Sequence, residues 1–351
     1  MEKQELNVFP ANDPHLVWQG RTVEDPSGNR YLIGSASSLK FRFQGNDCKV
    51  RMLNSAPMGE YNYVSFVVDG IHQQRLAIKV DTFFELKIPV SNKADFHDVE
   101  LYKETEASNG FIVISQILTE AIIDFPLTVK KKIEYIGDSV TAGMASDTSL
   151  VDCEQGTWYD QHNAYDAYGP RIARELNLDY MIVAVSGIGA YRNWNTDYPV
   201  MSDVYESAFL TANSNYPKWD FKKFIPDVVA ICLGTNDFSE GDGVTPRLPF
   251  DSTQFINRYV DLISKVHHHY PEAKILLLRS PIAGMEHDMM YKACLETVKQ
   301  KTASSMNGLN SISIFSFTSF FGSGCTGHPS LDDHAKMAKE LVPVIRENVK
   351  M

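Results

Sequence analysis

The chain has 351 residues, enough for two domains or one large one, and its 44% hydrophobic and 22% charged content is ordinary globular usage. A formal net charge of −11 with no basic stripe argues against nucleic acid and anionic membrane surfaces, both of which need clustered Lys and Arg. Five scattered cysteines (Cys48, Cys153, Cys232, Cys294, Cys325) show no paired spacing, so neither a disulfide framework nor a zinc site is expected, and the set fits a reducing compartment.

The first residues, Met1–Leu6, have no basic stretch followed by an apolar one, so no signal peptide is visible. As given, the chain reads as cytoplasmic; a secreted protein that had lost its leader would look the same. No apolar run is long enough to span a bilayer.

The first third of the chain alternates with period two. Leu39, Phe41 and Phe43 share one face of a predicted strand, and Val50 and Met52 repeat the pattern in Lys49–Leu53. Further strands are predicted at Asn62–Val68, Arg75–Val80, Phe83–Val90, Asp98–Tyr102 and Phe111–Ile117. Turn signals such as Asp69-Gly70 separate them. Many short alternating strands without a helix imply an antiparallel β-sandwich or jelly roll over residues 1–126.

From Val129 the pattern changes. Short apolar runs (Ile133–Ile136, Met181–Val185, Val228–Leu233, Ile275–Leu278, Ile312–Phe317) alternate with helix candidates at Asn163–Leu176, Ser252–His269, Asp288–Ser304 and Leu331–Val349. This predicts an α/β domain over residues 127–351 with a central parallel sheet covered on both faces. All strand C-termini then share one rim, where open α/β sheets bind ligands.

Four loops on that rim carry chemistry. Gly137-Asp138-Ser139 follows the first strand, and Ser139 stands at a helix start where backbone N–H groups face a developing anion. Ser186-Gly187-Ile188-Gly189 follows the second strand, and its glycines allow close backbone approach. Gly234-Thr235-Asn236-Asp237 follows the third, where the Asn236 amide is a candidate oxyanion donor and Asp237 a loop-holding residue. Gly324-Cys325-Thr326-Gly327-His328 follows the fifth, ahead of a helix capped by Ser330 and Asp333. Each has a bland reading as a turn or cap. Together they supply nucleophile, base and oxyanion donors for acyl transfer.

These four blocks resemble the SGNH (GDSL-type) hydrolase superfamily from Lys132 to about Glu347. The resemblance implies Ser139 as nucleophile and His328 as general base. It also implies an oxyanion hole made by the Ser139 amide, a glycine amide and Asn236. Counting along the loop selects Gly189, with Gly187 as the fallback. A β-sandwich ahead of such a domain, with His15–Arg21 and the Gly-Cys-x-x-His-Pro segment, resembles carbohydrate esterase family 2. That implies removal of O-acetyl groups from acetylated poly- or oligosaccharides of the xylan or mannan type. No metal or organic cofactor is implied, and the oligomeric state is left open. Two alternatives belong to other classes: a carbohydrate-binding protein with a degenerate site, and a lipid or thioester hydrolase or acyltransferase on the same fold.

Many members of the superfamily place an orienting Asp two or three residues before the histidine, where this chain has Thr326 and Cys325. A Ser-His dyad is therefore expected, with a backbone carbonyl accepting from His328 Nδ1. Asp333 and Asp332 are the alternatives, better explained as a helix-capping acid and a surface residue. Tyr191 and Trp194, after the second strand, are candidates for stacking on a sugar, as is Tyr198. His267, His268 and His269 look like a metal site, but consecutive helix residues point about 100° apart and cannot share an ion. His334 is expected to pack. Arg279, Ser280, Pro281 and His287 also reach the rim, with no role assigned.

Overall fold

The computed structural model describes residues 6–90, 94–126, 128–284, 287–306 and 311–350. The chain divides into two units, Met1–Val129 and Lys130–Met351.

The first unit is antiparallel sheet. Its strands are β1 (Asn7–Pro10), β2 (Val17–Gln19), β3 (Thr22–Glu24), β4 (Arg30–Leu32), β5 (Ser38–Ser55), β6 (Asn62–Val68), β7 (Ile71–His72), β8 (Leu76–Ile78), β9 (Phe84–Lys87), β10 (Phe96–Lys103) and β11 (Phe111–Ile123). The two strands predicted at 39–43 and 49–53 are one, β5, which pairs with β2, β9, β10 and β11. Its buried face passes from odd to even numbers between Phe43 and Cys48. Gly45 at φ 90 and a register shift between Thr119 and Ala121 break the ladder there. Leu39, Phe41, Phe43, Val50 and Met52 thus reach a single core with Phe66, Leu101 and Ile114. Four short strands before residue 33 carry no alternation long enough to read.

The second unit holds a five-stranded parallel sheet: β12 (Lys132–Gly137), β13 (Asp179–Ala184), β14 (Val228–Cys232), β15 (Lys274–Arg279) and β16 (Ile312–Ser316), in the order β13-β12-β14-β15-β16. All five apolar runs are strands. Four long helices follow the predicted periodicity: α2 (Tyr168–Glu175), α5 (Ser252–His269), α6 (Asp288–Ser305) and α7 (Leu331–Asn348). One-turn helices α1 (Ser139–Ala142), α3 (Met201–Val204) and α4 (Thr235–Phe238) complete the set.

The strand order positions the site. The chain leaves β12 for β13 on one side and later returns to β14 on the other. The end of β12 is therefore the switch point, where neighbouring connections diverge and leave a crevice. The residue after that strand end is Asp138, and the next is Ser139.

Candidate active site

Ser139 is set by its two neighbours in sequence. Gly137 ends β12, and a Cβ there would meet Thr141 Oγ1 at 2.1 Å and the Cys232 carbonyl at 2.9 Å, so only glycine lets the chain turn this tightly. Asp138 caps α1, accepting from the Val140 N–H at 3.0 Å. Ser139 is the first residue of that turn, so its own N–H has no acceptor within the helix. Burial pushes the Asp138 carboxyl up to about 7, against the hydrogen bonds from Thr235 and Val140, which lower it.

His328 follows a 3-10 turn, Cys325–Gly327. Three backbone hydrogen bonds fix the turn: Gly324 N to His328 O at 2.7 Å, Cys325 N to Ala145 O at 2.9 Å and His328 N to Cys325 O at 3.0 Å. The imidazole Nε2 lies 2.9 Å from Ser139 Oγ. Its Nδ1 lies 3.1 Å from Thr326 Oγ1, which donates to the Cys325 carbonyl at 2.7 Å. The expected acceptor is a backbone carbonyl; the structure sets the Thr326 side-chain hydroxyl beside this nitrogen. Asp333 forms the expected capping box with Ser330 and accepts from the Ser323 amide and hydroxyl, while Asp332 is exposed.

The cysteine reading needs correction. Cys325 is joined to Cys153 in a disulfide across 172 residues, while Cys48, Cys232 and Cys294 are free and buried. Spacing carries no signal for this pair, because the fold alone brings the two loops together.

The glycine loop is organised by Asp237. Its carboxylate accepts from the amides of Ala190 (2.9 Å), Tyr191 (2.8 Å) and Arg192 (3.3 Å), which is the loop-holding role expected of it. Burial pushes its carboxyl up to about 6, against these three amides. The Gly189 amide donates to Asn193 Oδ1 at 3.1 Å, and a Cβ at Gly189 would meet Arg192 O at 2.0 Å. Gly189 is thus packed inside its own loop and is corrected as oxyanion donor. Gly187 differs: at φ 79 it has nothing nearer its missing Cβ than Trp194 Cβ at 3.9 Å. Among the described residues its amide has no acceptor. Asn236 Nδ2 donates to Ile188 O at 2.7 Å and comes within 3.5 Å of Asp138 Oδ2, so it bridges the serine and glycine loops. Arg247 clasps the same region from outside, donating to the carbonyls of Asn193, Trp194 and Asn236. No sequence pattern marked Asn193 or Arg247.

The two candidate aromatics separate. Tyr191 is half-buried, its hydroxyl accepting from the Asp251 N–H at 3.0 Å and its ring packing on Phe250 and Phe255. Trp194 is 47% exposed and lines a cavity of about 350 Å³ with Gly187, Ile188, Pro199 and Leu210. Tyr198 is exposed. His269 pairs with Glu206 and stacks on Phe221. His334 is buried, accepts from the Tyr168 N–H through Nδ1 and is pushed down to about 3, mainly by burial. On the fourth rim loop, Arg279 pairs with Asp288 and Ser280 bonds Thr235. Among the described residues no group of three His, Cys, Asp or Glu side chains could hold a metal ion, and no helix is long and apolar enough to cross a membrane.

Comparison with known proteins agrees with this arrangement. The GDSL-like lipase/acylhydrolase family matches residues 135–315, and the carbohydrate esterase 2 N-terminal family matches residues 18–126. The chain is 27% identical to an acetylxylan esterase / glucomannan deacetylase of Cellvibrio japonicus, over 97% of this chain and 91% of that one. It is 29% identical to the cellulase/esterase CelE of Acetivibrio thermocellus over 96% of its own length, and it spans 40% of that protein. Among solved structures, a family two carbohydrate esterase from Cellvibrio japonicus superposes with a TM-score of 0.85 at 25% identity, covering 98% of both chains. One from Clostridium thermocellum, in complex with cellohexaose, superposes with a TM-score of 0.82 at 28% identity, covering 95% of this chain and 99% of that one. The chain therefore belongs to the GDSL-like lipase/acylhydrolase family, with a carbohydrate esterase 2 N-terminal domain preceding its hydrolase domain.

Proposed function

We propose that this protein is a serine esterase that removes O-acetyl groups from poly- or oligosaccharides of the xylan or mannan type. The observation that carries the reading is the 2.9 Å approach of His328 Nε2 to Ser139 Oγ at the switch point of the parallel sheet. Ser139 Oγ attacks the acetyl carbonyl carbon while His328 Nε2 takes its proton. The carbonyl oxygen becomes an oxyanion, held by the amides of Ser139 and Gly187 and by Asn236 Nδ2. The tetrahedral intermediate collapses by breaking the bond to the sugar oxygen, which receives the proton from His328. Water then attacks the acetyl-serine, His328 takes its proton, and collapse releases acetate and restores Ser139. Trp194, half exposed in the cavity beside Gly187, stacks on the sugar in this reading.

Support for the substrate class comes from relatives over nearly the whole chain: the Cellvibrio protein is named an acetylxylan esterase / glucomannan deacetylase, and the clostridial structure holds cellohexaose. The test is acetate release from acetylated xylan, acetylated mannan and acetylated cello-oligosaccharides, run side by side with wild type and Ser139→Ala. Release that depends on Ser139 supports the reading. Undiminished release by Ser139→Ala overturns it, and glycan binding without release by wild type favours a binding protein.

A further inference from the structure

A histidine base must hold its proton on the correct nitrogen. If His328 is to accept from Ser139 through Nε2, its proton has to sit on Nδ1, and something must accept from Nδ1–H. We propose that the Thr326 hydroxyl is the positioning residue that fills this role, in the place of a carboxylate. The proposal rests on His328 acting as the base.

Counting protons fixes the polarity of the chain. Thr326 has one hydroxyl proton, and the Cys325 carbonyl, which can only accept, lies 2.7 Å away to receive it. The same oxygen faces His328 Nδ1 at 3.1 Å with lone pairs free to accept. The imidazole therefore donates through Nδ1 and presents a bare Nε2 to Ser139 Oγ at 2.9 Å. The nearby acids do not compete: Asp333 is committed to Ser323 and Ser330, and Asp332 is exposed.

The backbone carries a second, independent sign. Thr326 sits at φ 53, in the left-handed region, where a β-branched residue is an outlier and glycine or asparagine is the ordinary choice. The neighbouring bonds from Gly324 and Cys325, and the disulfide at Cys325, hold it there. A strained backbone beside a reactive group, with a side chain that the turn itself does not require, is the pattern of a residue kept for its hydroxyl.

A hydroxyl orients the ring as a carboxylate does, but it brings no charge to stabilise the imidazolium. This makes the proposal testable through pH. The whole protein is assayed with p-nitrophenyl acetate from pH 4.5 to 9 as wild type, Thr326→Val, Thr326→Ser and Thr326→Asp, with circular dichroism to confirm folding. Thr326→Val should lower kcat about tenfold or more with KM within twofold, because the tautomer is no longer fixed. Thr326→Ser should recover most of that loss. Thr326→Asp should raise the acidic midpoint of kcat/KM by about one pH unit, since a carboxylate favours the charged ring. A purely structural role would lower stability across the set and leave that midpoint in place. Wild-type kcat in folded Thr326→Val, or an unmoved midpoint in folded Thr326→Asp, overturns the proposal; should Val not fold, Ser and Asp decide it. Retention of activity by Ser139→Ala would instead overturn the parent reading, so the two failures are distinct.

Discussion

Ser139 Oγ and His328 Nε2 stand 2.9 Å apart although 189 residues separate them in sequence. Each is held by structure on both sides. Ser139 lies between a strand end and a capped turn, and His328 between a disulfide-tied turn and the N-terminus of α7. A contact assembled from two fixed loops is preorganised, so losing one partner should cost turnover and spare the fold. His328→Ala should therefore lower kcat by at least about 10³-fold, with an unchanged melting temperature and unchanged affinity for a non-acetylated oligosaccharide. Steady-state kinetics and calorimetric titration check this. Turnover remaining at a tenth of wild type would count against the base assignment.

Asn236 has two jobs that one substitution can separate. Its amide donates to Ile188 O, which shapes the glycine loop, and in the proposed reaction it also donates to the oxyanion. Asn236→Asp keeps the volume but puts an acceptor where a donor is needed. The variant should lose about 10²- to 10³-fold in kcat, the range seen when one oxyanion donor is removed. KM for the acetylated substrate should change little, because the interaction develops in the transition state. A rise in KM at constant kcat would make Asn236 a ground-state binding group instead.

Much of this arrangement is legible in the sequence because it rests on periodicity and local caps. Val228–Cys232 and its neighbours are continuously apolar because their sheet is buried on both faces, and Ser252–His269 repeats every third or fourth residue because it covers that sheet. Ser330 and Asp333 announce the start of α7. Other features depend on contacts that sequence does not order. Gly187 and Gly189 are two residues apart and chemically identical, and only the folded loop shows that Asn193 occupies one of the two amides. Cys153 finds Cys325 across 172 residues. Thr326 sits where many relatives carry a carboxylate, and a lone hydroxyl there carries no sequence signal.

Asp138 gives stability a pH dependence of predictable sign. Its carboxyl is pushed up to about 7 in the folded protein, above its ordinary value of 3.8. A raised acid binds its proton more tightly when folded, so its contribution is fully present below pH 3.8 and is lost as pH rises through 7. Between pH 5 and 8 this amounts to about 2 to 3 kcal/mol. Asp237, raised to about 6, acts in the same direction, and His334, lowered to about 3 from 6.5, acts in the opposite one, since its stabilisation is lost as pH falls below 6.5. Only a difference measurement isolates Asp138. Urea unfolding of wild type and Asp138→Asn at pH 5, 6, 7 and 8 should show wild type losing about 2 to 3 kcal/mol relative to the variant over that range. A constant difference would mean that Asp138 stays ionised throughout.

The Cys153–Cys325 bond ties the loop after α1 to the turn that carries Thr326 and precedes His328. It spans 172 residues, so in the unfolded chain it removes the entropy of a long loop, and its loss should cost about 2 to 5 kcal/mol. For a unit of this size that is a fall in melting temperature of about 5 to 15 °C on reduction with dithiothreitol. The three other cysteines are free and buried, so reduction has no second bond to act on among the described residues. Catalysis should respond beyond the stability change. At 25 °C, with the reduced protein still folded, kcat should fall severalfold, because the Cys325 carbonyl accepts from both Thr326 and His328. A Cys153→Ser/Cys325→Ser double variant should match the reduced protein and ignore dithiothreitol. An unchanged melting temperature and kcat after complete reduction, verified by thiol titration, would remove the bond's role in holding the His328 turn.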